Sequence, residues 1–250
     1  MSDSCETRTS SRRTFLKGIG AGAIALTVPG CGIPRGERTE RPNIVFIMTD
    51  DHTVQAMGCY GSRINRTPQL DRIARDGVRF EQGYCTNAIC GPSRATLLTG
   101  AYSHVNGVVD NNAAFDGDQT TFPKLLQGAG YQTALVGKWH LDSEPTGFDY
   151  WSILPGQGDY YNPDFIRMGK RTRVPGYVTD LVTDESLRWI EARDRTRPFC
   201  LLLHHKAPHR NWMPGPKHLR LFENEDIPIP ETFFDDYESR SDAARQQEMS

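Results

Sequence analysis

A chain of 250 residues with 37% hydrophobic and 24% charged side chains has the composition of a globular protein, long enough for one sizeable domain, and is not that of a disordered or membrane-embedded chain. The formal net charge is −2, so no basic field marks a nucleic-acid partner.

In chain order, the first 31 residues read as a targeting segment to be kept apart from the fold. Arg12 and Arg13 precede Phe15, Leu16 and Lys17, and a Gly/Ala-rich apolar stretch follows from Gly18 to Val28. The pattern resembles a twin-arginine export signal and implies the twin-arginine translocation machinery as a partner. The apolar run is about half of the ~20 residues a spanning helix needs, so no permanent membrane helix is expected. Val28-Pro29-Gly30-Cys31 resembles a lipoprotein cleavage box, with Pro29 where a small residue is usual. The chain is therefore expected in the periplasm or at the cell surface, with a lipid on Cys31 as its sole membrane attachment or as a soluble exported protein. Residues 32–41 read as a tether.

From residue 42 an alternating pattern begins. Asn43 to Met48 is a continuous apolar run, expected as a strand buried on both faces, and it ends in Asp50, Asp51 and His52. Thr67-Pro68 opens a helix with Leu70, Ile73 and Ala74 on one face and Gly77 as its stop. A helix is expected over Ser93 to Leu98, just after Cys90. A short helix near Pro123 to Ala129 leads to a strand at Gln132 to Val136, which runs out into Lys138 and His140. The segment from Pro145 to Lys170, rich in Gly and aromatics, reads as a long ordered loop. A helical stripe of Val178, Leu181, Val182, Trp189 and Ile190 precedes the apolar run that ends in His204, His205, Lys206 and His209. The C-terminal "SDAARQQEMS" reads as the start of a helix. Helices alternating with apolar strands predict an α/β fold with a doubly wound, mostly parallel sheet and helices on both faces. In such sheets the ligand lies outside the carboxyl ends of the strands, where three polar clusters meet here.

The clusters suggest chemistry. Adjacent carboxylates Asp50 and Asp51 suit a hard cation such as Ca²⁺, although such pairs are more often solvated caps. If a helix starts after Cys90, its first-turn amides point at the cysteine and at a bound anion, Arg94 can fork onto an oxyanion, and a thiolate is favoured. The bland alternative is a buried inert thiol. Cys59, Cys85 and Cys200 permit a disulfide in an oxidising compartment without selecting one.

Cys90-Gly91-Pro92-Ser93-Arg94 followed by Thr99-Gly100 resembles the signature of type I sulfatases, members of the alkaline-phosphatase superfamily. "RPNIVFIMTDDH", "GKWH" and "KAPH" resemble further motifs of that family, in the same order. The resemblance implies that Cys90 is oxidised to formylglycine by a formylglycine-generating enzyme, and that the hydrated aldehyde is the nucleophile. It further implies that Asp50, Asp51 and the modified Cys90 ligate calcium in preference to magnesium. Arg94 and Lys138 would hold the hydrate and sulfate oxygens. His140 would take a proton, and His209 would contact sulfate or protonate the leaving alcohol.

The family continues with a second metal-binding Asp-Asn or Asp-His pair, and Arg210 to Ser250 contains none. Residues 42–250 are therefore expected to be the N-terminal portion of a catalytic domain that binds calcium weakly and turns over little alone. Asp110-Asn111-Asn112 stands too early for that pair and remains a substrate-loop candidate; His52 and His104 could face substrate, and Lys206 is a substitute for His209. His204, His205 and His218 are expected to be structural or solvated. The loop resembles that of carbohydrate sulfatases, including N-acetylglucosamine-6-sulfatase and mucin-desulfating enzymes, with Trp151, Tyr160, Tyr161 and Trp212 as sugar-stacking candidates against a core-packing alternative. The expected substrate is a sulfated exported or extracellular glycan. The alternatives are a phosphomonoesterase or phosphodiesterase of the same superfamily and a truncated, non-catalytic glycan-binding remnant.

Overall fold

The structure, a computed structural model, describes residues 41–246; the export segment, Cys31 and the tether up to residue 40 lie outside the described residues. Pro42–Ser250 forms one compact unit. Six strands make one sheet in the order β1-β6-β2-β3-β4-β5: β1 Ile44–Met48, β2 Gln132–Lys138, β3 Tyr150–Leu154, β4 Asp164–Arg167, β5 Lys170–Arg173 and β6 Phe199–His204. The pairs β1·β6, β6·β2 and β2·β3 are parallel, and β3·β4 and β4·β5 are antiparallel. The expected doubly wound, mostly parallel sheet is present, with an antiparallel hairpin added at one side.

The helices are α1 Pro68–Asp76, α2 Cys90–Thr99, α3 Ser103–Asn106, α4 Phe122–Gly128, α5 Val178–Ala192 and α6 Asp242–Arg245. Period-two alternation divides the core between the two sheet faces. Leu135, Cys200 and Leu202 join Ala95 and Leu98 of α2 on one face, with Phe122 and Leu126 of α4 packed against them. Ala134, Val136, Leu201 and Leu203 join Val178 and Val182 of α5 on the other. Each fully buried Leu contributes about 1.5–3 kcal/mol, and β2 and β6 place such residues on both faces.

Three expectations need correction. The segment Pro145 to Lys170 is not a loop but carries β3, β4 and the start of β5. Its turn is Met168-Gly169, both at positive φ, a two-residue hairpin without the Asn-Gly or Asp-Gly that advertises one in sequence. The strand after Asn43 is buried on one face only: Ile44 and Phe46 pack inward, whereas Val45 and Ile47 are exposed, because α5 packs against β2 and β6 and no described residue covers β1 there. Likewise α1 starts at Pro68 and stops before Gly77 as expected, but it buries no residue, and its Leu70 and Ile73 face outward. Cys59, Cys85, Cys90 and Cys200 are all free thiols. No helix among the described residues is long and apolar enough to cross a membrane.

Gly137 shows how closely the central strands approach. Its φ is +111°, and a Cβ there would stand 1.9 Å from the carbonyl oxygen of His204, so only glycine fits between β2 and β6 at this level.

Candidate active site

The carboxyl ends of β1, β2 and β6 open beside the N-terminus of α2, and there a cleft of about 700 Å³ is lined by Asp50, Asp51, Cys90, Arg94, Asn111, Gln157, His209 and Trp212, among others. Main-chain bonds hold the strand ends together: Asp50 N–H donates to Ala207 O at 3.2 Å, and His205 N–H donates to Met48 O at 2.8 Å. The carboxylates after β1 and the histidine loop after β6 therefore form one wall.

Cys90 is itself the first residue of α2, three positions earlier than expected, and Ile89 supplies no side-chain cap. The anticipated amide cradle does not form. Gly91 N–H is taken by Asn111 Oδ1 at 2.8 Å, Pro92 has no N–H, and Ser93 N–H bonds Ile89 O at 2.9 Å. The thiol is not ionised by its setting either. Burial pushes its pKa up; Lys138 and Arg94 pull it down but do not win, and Asp50 and Asp51 push with burial. Cys90 is therefore a half-buried neutral thiol at pH 7, which argues against a thiolate nucleophile.

Around it stand buried charges. Lys138, fully buried at the end of β2, is hydrogen-bonded by its Nζ to Asp50 Oδ2 and Gln157 Oε1 and lies 3.8 Å from Cys90 Sγ. Cys90 Sγ is 3.9 Å from Asp50 Oδ1. Arg94, one turn into α2, donates from Nη1 to Lys138 O at 2.7 Å, and its Nη2 is 3.6 Å from Asp50 Oδ1. One arm of the guanidinium thus fixes the backbone at the strand end, and the other faces the carboxylate. His204 Nδ1 lies 3.3 Å from Arg94 Nη1, a donor, and 3.2 Å from Lys138 O, an acceptor, so its role follows the tautomer, while Nε2 has no partner among the described residues. Complete burial, reinforced by Arg94, pulls the His204 pKa down to about 3. His204 is structural, as expected; His218 is exposed.

His209 is buried, with Nε2 3.6 Å from Asp51 Oδ2 and Nδ1 2.6 Å from Arg210 O, a contact in which Nδ1–H donates. Asp51, at φ 57°, holds its side chain largely exposed in the cleft. Ligand atoms of Asp50, Cys90 and His209 lie within 4.8 Å of one another, close enough to share an ion, and Asp51 lines the same cleft with its Oδ2 3.6 Å from His209 Nε2. Two carboxylates fit a hard cation in kind but fall short in number of the six to eight oxygens calcium usually takes.

His140 is placed differently from the rest. It lines a neighbouring cavity with Trp139 and Trp151 instead of the main cleft. Burial, then Lys138 and Arg94, lowers its pKa, and its Nδ1 has no partner among the described residues. His52 pairs with Thr49 at 3.2 Å and His104 stacks on Tyr102, and neither lines the cleft.

Of the aromatic candidates, Trp151 and Tyr160 are core residues, and Tyr161 packs on Tyr177. Trp212 alone reaches the cleft, and it is 69% exposed. Sequence reasoning missed Gln157, whose signal was the Pro-Gly-Gln-Gly turn after β3. It also missed the structural use of Asn111, whose signal was the Asp-Asn-Asn turn; Asp110 Oδ1 caps that turn by accepting from Asn112 and Ala113 N–H.

The chain is 58% identical over 229 residues to the N-acetylglucosamine-6-O-sulfatase of Bacteroides thetaiotaomicron, a match covering 90% of this chain and 41% of that protein. It is 30% identical over 239 residues to human N-acetylglucosamine-6-sulfatase, covering 84% and 42%. The structure superposes on that of BT4656 in complex with its substrate D-glucosamine-2-N,6-O-disulfate with a TM-score of 0.83 and 59% identity, covering 84% of this chain and 43% of that one. The chain thus spans about two fifths of the length of these relatives. A family model described as Sulfatase matches residues 42–247, a stretch that includes every strand positioning Asp50, Lys138 and His209 and the helix headed by Cys90, and the chain belongs to the sulfatase family.

Proposed function

We propose that the protein to which these residues contribute hydrolyses sulfate monoesters of exported or extracellular glycans, with a 6-O-sulfated glucosamine unit as substrate. The observation that carries this reading is the packing of a neutral Cys90 thiol at the head of α2 against Lys138 and Asp50, with Arg94 behind them. Conversion of Cys90 to formylglycine would supply a hydrated aldehyde as nucleophile, and calcium held by Asp50 and Asp51 would supply positive charge beside it. A neutral, half-buried thiol suits a residue that awaits modification better than one that attacks directly.

The chain's own residues then position and neutralise. Lys138 and Arg94 bring two fixed cations to where sulfate oxygens gather charge, and their burial spares them reorganisation during reaction. His209, held by its Nδ1–H on Arg210 O, presents Nε2 to the cleft beside Asp51, and when doubly protonated it would donate from Nε2–H to a leaving alcohol. His140, kept neutral by burial and the adjacent cations, is suited to accept a proton. With only two carboxylates lining the cleft among the described residues, calcium binding by this chain alone is weak and turnover is low. Arg12, Arg13 and Cys31 support export and lipid attachment.

The test is mass spectrometry of the peptide holding Cys90 after co-expression with a formylglycine-generating enzyme. Loss of the thiol and gain of an aldehyde are expected; an unmodified cysteine would rule out the mechanism. Fast, calcium-dependent sulfate release by residues 1–250 alone would contradict the weak-binding claim.

A further inference from the structure

Behind the main cleft lies a second cavity of about 370 Å³, and the two share Gln157, His209 and Arg210 as a common wall. The second cavity is also lined by Lys206, Asp159, Tyr160 and Asn211. Lys206 is 4% exposed, yet among the described residues no carboxylate lies within ion-pair distance of it and its Nζ makes no hydrogen bond. Its ammonium sits 4.8 Å from the centroid of the Tyr160 ring, a contact that orients a cation without neutralising it. The contrast with Lys138 is direct, because that equally buried ammonium is saturated by Asp50 and Gln157. Burial, then Lys138, lowers the Lys206 pKa, against the weaker pull of Asp50 and Asp159. A buried cation that no described carboxylate touches is stabilised when a ligand brings an anion into contact. Arg210, exposed on the shared wall, adds a second positive charge at the mouth.

We infer that Lys206 and Arg210 form a second anion subsite, which takes another negatively charged substituent of the same substrate while the ester to be cleaved lies at Cys90. The inference rests on the sulfatase reading and deepens it: the preferred substrate is a multiply charged sugar. The shared chemistry is a tetrahedral or planar oxyanion, either an N-sulfo group on the same ring or a carboxylate on an adjoining uronate. In either case the anion makes the contact with Lys206 that no described carboxylate makes.

Binding by the full 250-residue chain, measured calorimetrically, tests this with three probes: N-acetylglucosamine 6-sulfate, glucosamine 2-N,6-O-disulfate, and N-acetylglucosamine 6-sulfate linked to a uronate. The expected result is at least a tenfold preference for one of the doubly charged probes, with the preferred probe identifying the source of the anion. In Lys206→Met the ratio of affinities should collapse toward one, and in Arg210→Gln it should fall severalfold. Arg210 is exposed, so that second variant keeps the test open if Lys206→Met unfolds. Equal affinities in the unsubstituted chain, or a preference that survives both substitutions, would overturn the subsite alone. Failure of all three probes to bind would overturn the sulfated-glucosamine reading together with it.

Discussion

The protonation of single side chains at the cleft follows from competition between burial and a few fixed charges. His204 is the sharpest case. Its folded pKa is about 3 while the unfolded chain protonates near 6.5, so its contribution to stability is complete above about pH 6.5 and is lost as pH falls through that interval. At pH 5 the loss from this residue is about 2 kcal/mol, at 1.36 kcal/mol per pH unit. Urea unfolding between pH 7 and 5 should show it, and His204→Gln should flatten that part of the profile. Asn111 acts through one bond, to Gly91 N–H; Asn111→Ala should lower stability by about 1 kcal/mol in the same assay and loosen the start of α2. The sequence reading left His204 as structural or solvated without its partners, and it missed the bond of Asn111. His204 looks like any histidine of a histidine-rich run, and the partner of Asn111 is 20 residues away. Asp50, Cys90, Arg94, Lys138 and His209, by contrast, were legible as a group because each lies in a short motif at the end of a strand or the start of a helix.

At the scale of elements, α5 is tied to the sheet by a polar clasp as well as by its apolar stripe. Glu185 of α5 receives a two-pronged contact from Arg167 at 2.9 and 3.0 Å and a hydrogen bond from the Tyr150 hydroxyl. Burial pushes the Glu185 carboxyl up, but the Arg167 and Tyr150 bonds outweigh it and hold the pKa below the ordinary range. Tyr150 itself is pushed up to about 12 by burial and by Glu185. Because Arg167 is half-exposed, Glu185→Ala should cost about 1–2 kcal/mol, and Arg167→Ala less. Chemical denaturation of the two single variants and the double variant measures the coupling. Between β2 and β6, Gly137→Ala should cost upward of 3 kcal/mol, since the added methyl meets backbone and has nowhere to move. The helices were readable because Thr67-Pro68 and the Val178 to Ile190 stripe are local signals. The β3 to β5 region was not, because its alternation of Trp151, Ser152, Ile153 and Leu154 is brief and its Met168-Gly169 turn has an unusual sequence.

For the whole molecule, the two edges of the sheet are unlike. The β5 edge carries Lys170, Arg171 and Arg173, all exposed, a charged border that discourages further pairing. The β1 edge carries Val45 and Ile47, 48% and 55% exposed, and no described strand pairs beyond it. Residues 42–250 on their own should therefore associate in a concentration-dependent way, and Ile47→Lys should reduce the effect; light scattering across a dilution series would show both. Sequence by itself determined the alternation of β1, α1, α2, α4, β2, α5 and β6 and the family, because hydrophobic period and short motifs are local properties. It also brought the catalytic candidates to one end of the sheet, since parallel strands share their carboxyl ends. Only the tertiary structure decided which charges neutralise one another, which amides of α2 are already used and which aromatics are core. It alone left Lys206 out of contact with any described carboxylate, because burial and pairing depend on residues distant in sequence and on the low dielectric their packing creates.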